Sequence, residues 1–136
     1  MIKPPQRDSQ NHTEKSYPHQ ELTKIIIGGV FDVFKSLGYG YQEKYYQRAL
    51  AKHFAEIHLS FDREKLQTIS YHGCIIGRYF MDFVVQDTVV VELKVATDFH
   101  ETHMKQLLGY MRAGNFPIGL LCKITPDGVR VKRFVI

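Results

Sequence analysis

The chain lacks a long apolar run. Its greasiest stretch, Ile25 to Phe31, ends at Asp32 and is far too short to cross a bilayer. The opening residues, Met-Ile-Lys-Pro-Pro-Gln-Arg-Asp, have no apolar core of a signal peptide. Cysteine is scarce: Cys74 and Cys122 stand alone, with no CxxC or Cys/His spacing. They read as two free, buried thiols in a reducing cytoplasm. There is no Walker loop, no GxGxxG, no internal repeat and no low-complexity tract. Ser60 and Ser70 have no nucleophile-elbow setting. These absences argue against a membrane span, a disulfide scaffold, a nucleotide-cofactor enzyme and a serine hydrolase. The expectation is a cytoplasmic protein without a membrane partner.

What is present is ordinary in bulk. The 136 residues are 44% hydrophobic and 24% charged, enough for one domain with a real core. Net charge is +4, which is compatible with a polyanionic partner. Much of the excess is expected in the last strand, at Lys123, Arg130, Lys132 and Arg133. That stretch reads either as a charged face protecting a sheet edge or as a phosphate-contacting surface.

Residues 1–20 are polar, include Pro4, Pro5 and Pro18, and have no periodicity. They read as an arm preceding a single domain over 21–136. From Glu21 to Leu37 apolar residues recur with a helical period, and Gly38 suits the C-cap. Gly28 and Gly29 inside that helix suggest a close packing contact. A second helix is expected from about Gln42 to His58, burying Tyr46, Ala49, Leu50, Phe54 and Ile57. Strands follow at Arg63 to Tyr71, Cys74 to Val85 (interrupted near Gly77) and Thr88 to Val95, with a turn at His72-Gly73. Thr97 or Asp98 caps a third helix, about Phe99 to Ala113, stopped by Gly114-Asn115. Ile118 to Ile124, a Pro126-Asp127-Gly128 turn and Val129 to Val135 complete the chain. The order α-α-β-β-β-α-β-β implies a mixed sheet flanked by helices, an α/β (α+β) fold.

The most informative feature is Asp82, then nine residues, then Glu92-Leu93-Lys94. Two apolar, β-branched runs flank Gln86-Asp87-Thr88 and read as a β-hairpin. If the turn centres on Asp87, Asp82 faces Glu92 directly, with Cβ atoms about 4.5–5.5 Å apart. A two-residue turn would instead put them on opposite faces. Lys94 shares the face of Glu92. Val89, Val91, Leu93 and Val95 form an apolar face, and Val90, Phe80 and Val84 continue the other face around the acids. A strand apolar on both sides is buried on both. Buried charges are paired or coordinate a metal, and facing carboxylates suit a hard divalent cation. The plainer alternative is an exposed Glu–Lys pair on a solvated strand.

Other residues are weaker signals. Glu43 and Tyr46 share a face of the second helix, where Glu43 also complements the helix dipole. His103, Gln106 and Tyr110 line one stripe of the third helix, beside an apolar stripe; they read either as part of the site or as a polar shoulder. His100, Glu101 and His103 lack a third ligand for zinc. Lys44, Arg48 and Lys52 recur every four residues and form a solvated face or a phosphate contact.

Gly40-Tyr-Gln-Glu43-Lys-Tyr-Tyr46 matches the signature of the small GxxExxY proteins. Together with Asp82…Glu92-Leu-Lys94 and His103…Gln106…Tyr110, in that order, the chain resembles that family from about Glu21 to its end. The family belongs to the PD-(D/E)XK nucleases, with a restriction-endonuclease-like fold. The resemblance implies a Mg²⁺-dependent nuclease acting on nucleic acid, most readily DNA, with Mn²⁺ as a substitute. It implies Asp82, Glu92 and the Leu93 carbonyl as metal ligands, with Glu43 as an additional acid. Lys94 would orient the attacking water and Gln106 matches the glutamine common after the core. Tyr46, Tyr110, Lys132 and Arg133 are expected to contact nucleic acid. Met81 stands where a proline often precedes the first acid, and Gly38-Tyr39-Gly40 replaces the family's usual Gly-Pro-Gly. The alternative is a non-catalytic nucleic-acid- or protein-binding module on the same fold, acting as a homodimer or with a protein partner.

Overall fold

The computed structural model describes residues 19–136. The arm expected over 1–20 therefore falls outside the described residues, apart from His19 and Gln20. Eight elements follow in the expected order: α1 (Gln20–Leu37), α2 (Glu43–Glu56), β1 (Phe61–Tyr71), β2 (Cys74–Val85), β3 (Val89–Val95), α3 (Glu101–Gly114), β4 (Ile118–Thr125) and β5 (Gly128–Val135). The strands form one sheet in sequence order, β1-β2-β3-β4-β5. Every neighbouring pair is antiparallel except β3 and β4. Those two run parallel because α3 carries the chain back across the sheet between them.

The helices cover both faces. Ile26, Val30 and Val33 of α1 and Tyr46, Leu50 and Phe54 of α2 pack on Val89, Val91, Leu93, Leu120, Cys122 and Ile124. Leu107 and Met111 of α3 pack on Val84, Val90 and Leu121 from the other side. β4 lies between, and all eight of its residues are buried. Gly29 lets α1 approach α2: a Cβ there would stand 2.8 Å from His53 Cδ2. Gly38 ends α1 at φ 71°, its N–H donating to Phe34 O.

Several expectations need correction. Ile57 follows the end of α2 and is exposed, so it is not core. His100, not Thr97 or Asp98, stands at the N-cap of α3, and no side chain caps that helix. Cys74 is exposed, while Cys122 is buried; both are free. Phe80 is 63% exposed, because the outer part of the β1–β2 hairpin runs past the end of its pairing with β3. Side-chain alternation in β2 also shifts at Asp82. Tyr79 and Met81 face α3, whereas Phe83 and Val85 face the other two helices. Opposite this shift, Glu64 of β1 adopts φ 53°. The interruption expected near Gly77 is a register shift between Ile69 and Ser70, opposite that glycine.

Candidate active site at the β2–β3 fork

The site grows out of the hairpin turn. Gln86 and Asp87 take left-handed conformations, φ 51° and 52°, and Thr88 N–H closes the turn onto Val85 O at 3.0 Å. Val85 then pairs with Val89, Val84 with Val90 and Phe83 with Val91. In this register the next position sets Asp82 against Glu92, as the turn centred on Asp87 predicts. Regular strand pairing ends just before it, at Phe83–Val91. The Asp82 N–H donates to Glu92 Oε2 at 2.9 Å, and the Leu93 N–H donates to Asp82 Oδ2 at 2.9 Å. Each acid is thus clamped by the other strand's backbone. Leu93 and Val95 belong to the α1–α2 core, so Glu92 and Lys94, alternating with them, stand on the α3 face.

Two further elements reach the fork. From α2, Glu43 Oε1 accepts the Val95 N–H at 3.1 Å, and Gln47 hydrogen-bonds the Asp82 carboxylate. From α3, Tyr110 stacks on Tyr79 with ring centroids 3.8 Å apart and planes 17° apart. The Tyr79 hydroxyl is buried and makes no hydrogen bond among the described residues.

Burial dominates the electrostatics. Glu92 is 5% exposed, and its carboxyl is pushed up to about 8, first by burial and then by the charge of Asp82. Asp82 is raised as well, again chiefly by burial; the Leu93 amide and Lys94 pull it the other way. Tyr79 is pushed up to about 12 by burial, then by Tyr110 and Glu92. Neither acid is ion-paired among the described residues. Two facing carboxyls whose charged forms burial disfavours suit a hard divalent cation, which oxygen ligands hold. Among the described residues no three His, Cys, Asp or Glu side chains come together as a metal cluster. Asp82 and Glu92 form the pair that fits, and Glu43 is committed to the Val95 amide.

A family model described as the PD-(D/E)XK nuclease superfamily matches residues 20–134. The chain belongs to the PD-(D/E)XK nuclease superfamily. Asp82 and Glu92-Leu93-Lys94 have the residue types that this name spells out, with Met81 in place of the proline. Among solved structures, this PD-(D/E)XK domain is similar to an alkaline exonuclease, LHK-Exo, from Laribacter hongkongensis. The identity is 16%, over 68% of this chain and 54% of that one, with a TM-score of 0.49. The chain thus spans about half the length of that exonuclease. It is also similar to the protein SSO0001, at 15% identity over 84% of this chain and 77% of that one, with a TM-score of 0.46. Comparison with curated proteins gives no match.

Within this PD-(D/E)XK domain the expected site residues divide. Asp82, Glu92, Leu93, Lys94 and Glu43 converge on the fork. Tyr110 is half-buried beside it, its hydroxyl raised by burial and then by the charges of Glu92 and Asp82. Gln106 is exposed on α3. Tyr46 is buried and holds a loop. It is 0% exposed, donates to Gly38 O and accepts the Tyr41 N–H at 3.3 Å, tying down the loop between α1 and α2. Lys132 and Arg133, adjacent in β5, face opposite ways. Lys132 stands over Phe99 on the α3 side, while Arg133 lies beside Gln20, Thr23, Lys24 and Ile27 of α1. Lys123 is not in the last strand but in the buried β4. Lys44, Arg48 and Lys52 are exposed, as a solvated face would be.

Two participants escape a reading of the sequence. Gln47 lies four residues after Glu43, hence on the same helix face, and that spacing was the available signal. Tyr79 lies three residues before Asp82 and reads as an ordinary strand aromatic.

Proposed function

We propose that this protein is a divalent-metal-dependent nuclease that hydrolyses phosphodiester bonds in nucleic acid, DNA by preference, and that it is of the GxxExxY kind. One observation carries the reading. Asp82 and Glu92 meet at a fork in the sheet, Glu92 buried and Asp82 half-buried, neither in a salt bridge among the described residues, with Lys94 on the face of Glu92.

Asp82, Glu92 and the Leu93 carbonyl would hold Mg²⁺ or Mn²⁺, with Glu43 at the margin; the cation would polarise the scissile phosphate and lower the pKa of a bound water. The protein's part is to hold these donors still. The Asp82 and Leu93 amides each fix one carboxylate oxygen, and Gln47 fixes Asp82 further. Lys94 supplies a positive charge for the negative charge that develops on phosphate oxygen. Gln106, exposed on α3, can reach a substrate only from the open side of the fork.

The test is cleavage of labelled single- and double-stranded DNA and RNA with Mg²⁺, with Mn²⁺ and with EDTA. The reading expects cutting with metal alone, lost in Glu92→Ala. Cutting by that variant at the wild-type rate would overturn it.

A second reading, a binding module within a larger assembly, draws on the β1–β2 hairpin, where Leu66, Ile76 and Phe80 are exposed. Salt-sensitive binding without cleavage, unaffected by metal, would favour it.

A further inference from the structure

A row of cations crosses the sheet next to the fork. Lys94 of β3 pairs in register with Lys123 of β4, and Lys123 pairs with Arg130 of β5. Each alternates with residues of the α1–α2 core, so all three stand on the α3 face. Lys132, two residues beyond Arg130, shares that face. Like charges directly opposite one another destabilise a sheet. None of the four is ion-paired to a carboxylate of the described residues.

The row is braced from above by the segment that leads into α3. Lys123 is 0% exposed; its Nζ donates to Asp98 O at 2.7 Å and lies 2.9 Å from His103 Nδ1. Arg130 donates to Thr97 O at 3.4 Å. Lys123, Arg130 and Lys132 all approach the Phe99 ring, at 5.6, 5.6 and 5.4 Å from its centroid. The ring's electron-rich face attracts cations at this range and holds them together. Burial and then the charge of Lys94 lower the Lys123 ammonium. Lys123 is thus a buried brace, whereas Arg130 and Lys132 remain exposed.

We infer that Arg130 and Lys132, set over Phe99 and braced by Lys123, bind the backbone phosphates flanking the scissile one, so that the substrate strand leaves the fork along β3, β4 and β5. This rests on the nuclease reading and adds where the strand runs. The row begins at Lys94, beside the acids, and continues strand by strand to the sheet edge, at about 4.8 Å per strand. A polyanion laid along it supplies the counter-charges the row lacks. A continuous line of phosphates matches it better than an isolated acidic side chain would. Arg133, on the other face of β5, has no part in it.

The experiment is binding of a labelled oligonucleotide in EDTA, over a range of salt, so that no cleavage is needed. The variants are Arg130→Gln, Lys132→Gln, the double variant, Arg130→Lys, and Lys24→Gln on the opposite face as control. Each phosphate contact contributes about 0.7–0.9 to the slope of log affinity against log salt. The double variant is expected to bind at least about tenfold more weakly, with the slope reduced by about two such contacts. Arg130→Lys should retain the slope, and Lys24→Gln should match the wild type. Neutral methylphosphonates, placed one linkage at a time beside the cut, should weaken wild-type binding at one flank and leave the double variant indifferent there. Equal affinity and slope for wild type and double variant would overturn the inference. So would absence of salt-dependent binding by the wild type, or equal displacement by polyglutamate. Failure of the nuclease reading shows separately, as unchanged cleavage by Glu92→Ala.

Discussion

The Asp82 N–H donates to Glu92 Oε2 across the strands at 2.9 Å, one residue beyond the last regular pair, Phe83–Val91. The carboxylate stands in for a backbone partner and props the strands at the point where the site opens. The Leu93 N–H in turn donates to Asp82 Oδ2, so each carboxylate is held by the backbone of the opposite strand.

Stability without metal should fall as pH rises. Glu92 sits near 4.5 when unfolded and about 8 when folded. Its contribution is therefore complete below about 4.5 and is lost as pH climbs through about 8. Asp82 is shifted in the same direction. A loss on the order of a few kcal/mol is expected across that window. Thermal melts in EDTA from mildly acidic to mildly alkaline pH should show it, and Glu92→Gln should flatten the curve. A wild-type melt independent of pH would contradict the burial argument.

Tyr46 anchors the loop between α1 and α2. Tyr46→Phe leaves the Gly38 carbonyl and the Tyr41 amide without their partner, at a cost of about 1–3 kcal/mol. Denaturant titration should register that loss while cleavage, assayed well below the midpoint, stays near wild type.

The adjacent glycines of α1 should behave oppositely. Gly28 has open space where a Cβ would go, so Gly28→Ala should stabilise by about 0.5–1 kcal/mol. Gly29→Ala puts its methyl against His53 and Phe54 and should destabilise by about 1–3 kcal/mol. Equal effects of the two substitutions in chemical denaturation would refute the packing account.

His103 reports on the buried lysine. Its imidazole is held below the usual range, first by burial and next by the charge of Lys123. Lys123→Met removes that charge, and the His103 titration followed by NMR should move upward. No movement would mean that the contact at 2.9 Å does not persist in solution.

How much of this was legible beforehand can be judged residue by residue. The β2–β3 pairing followed from Gln86-Asp87-Thr88 and the valines around it, because a hairpin is local and its register is set by its turn. The helices followed from their apolar period, with Gly38 closing the first. Motif membership does not distinguish a ligand contact from a buried anchor, and Tyr46 is fully buried. Lys132 and Arg133 were grouped because they adjoin in sequence, yet adjacent strand residues face opposite ways. The Lys94–Lys123–Arg130 row could not be read at all. It depends on the parallel register of β3 and β4, set across the intervening α3 by packing and not by any turn. Phe80 is expected inside because Val84 and Val90 are, but the pairing of β2 with β3 ends at Phe83–Val91 and leaves that part of β2 uncovered.

The central claim is that Asp82 and Glu92 together hold a divalent cation. Calorimetric titration with Mn²⁺ near neutral pH, in two buffers of different ionisation enthalpy, tests it directly. The account predicts binding with release of a proton, because the cation displaces the one burial keeps on the acid pair, and much weaker binding without release in Glu92→Gln. Binding of equal strength to wild type and Glu92→Gln, or no proton released on binding to the wild type, would contradict it.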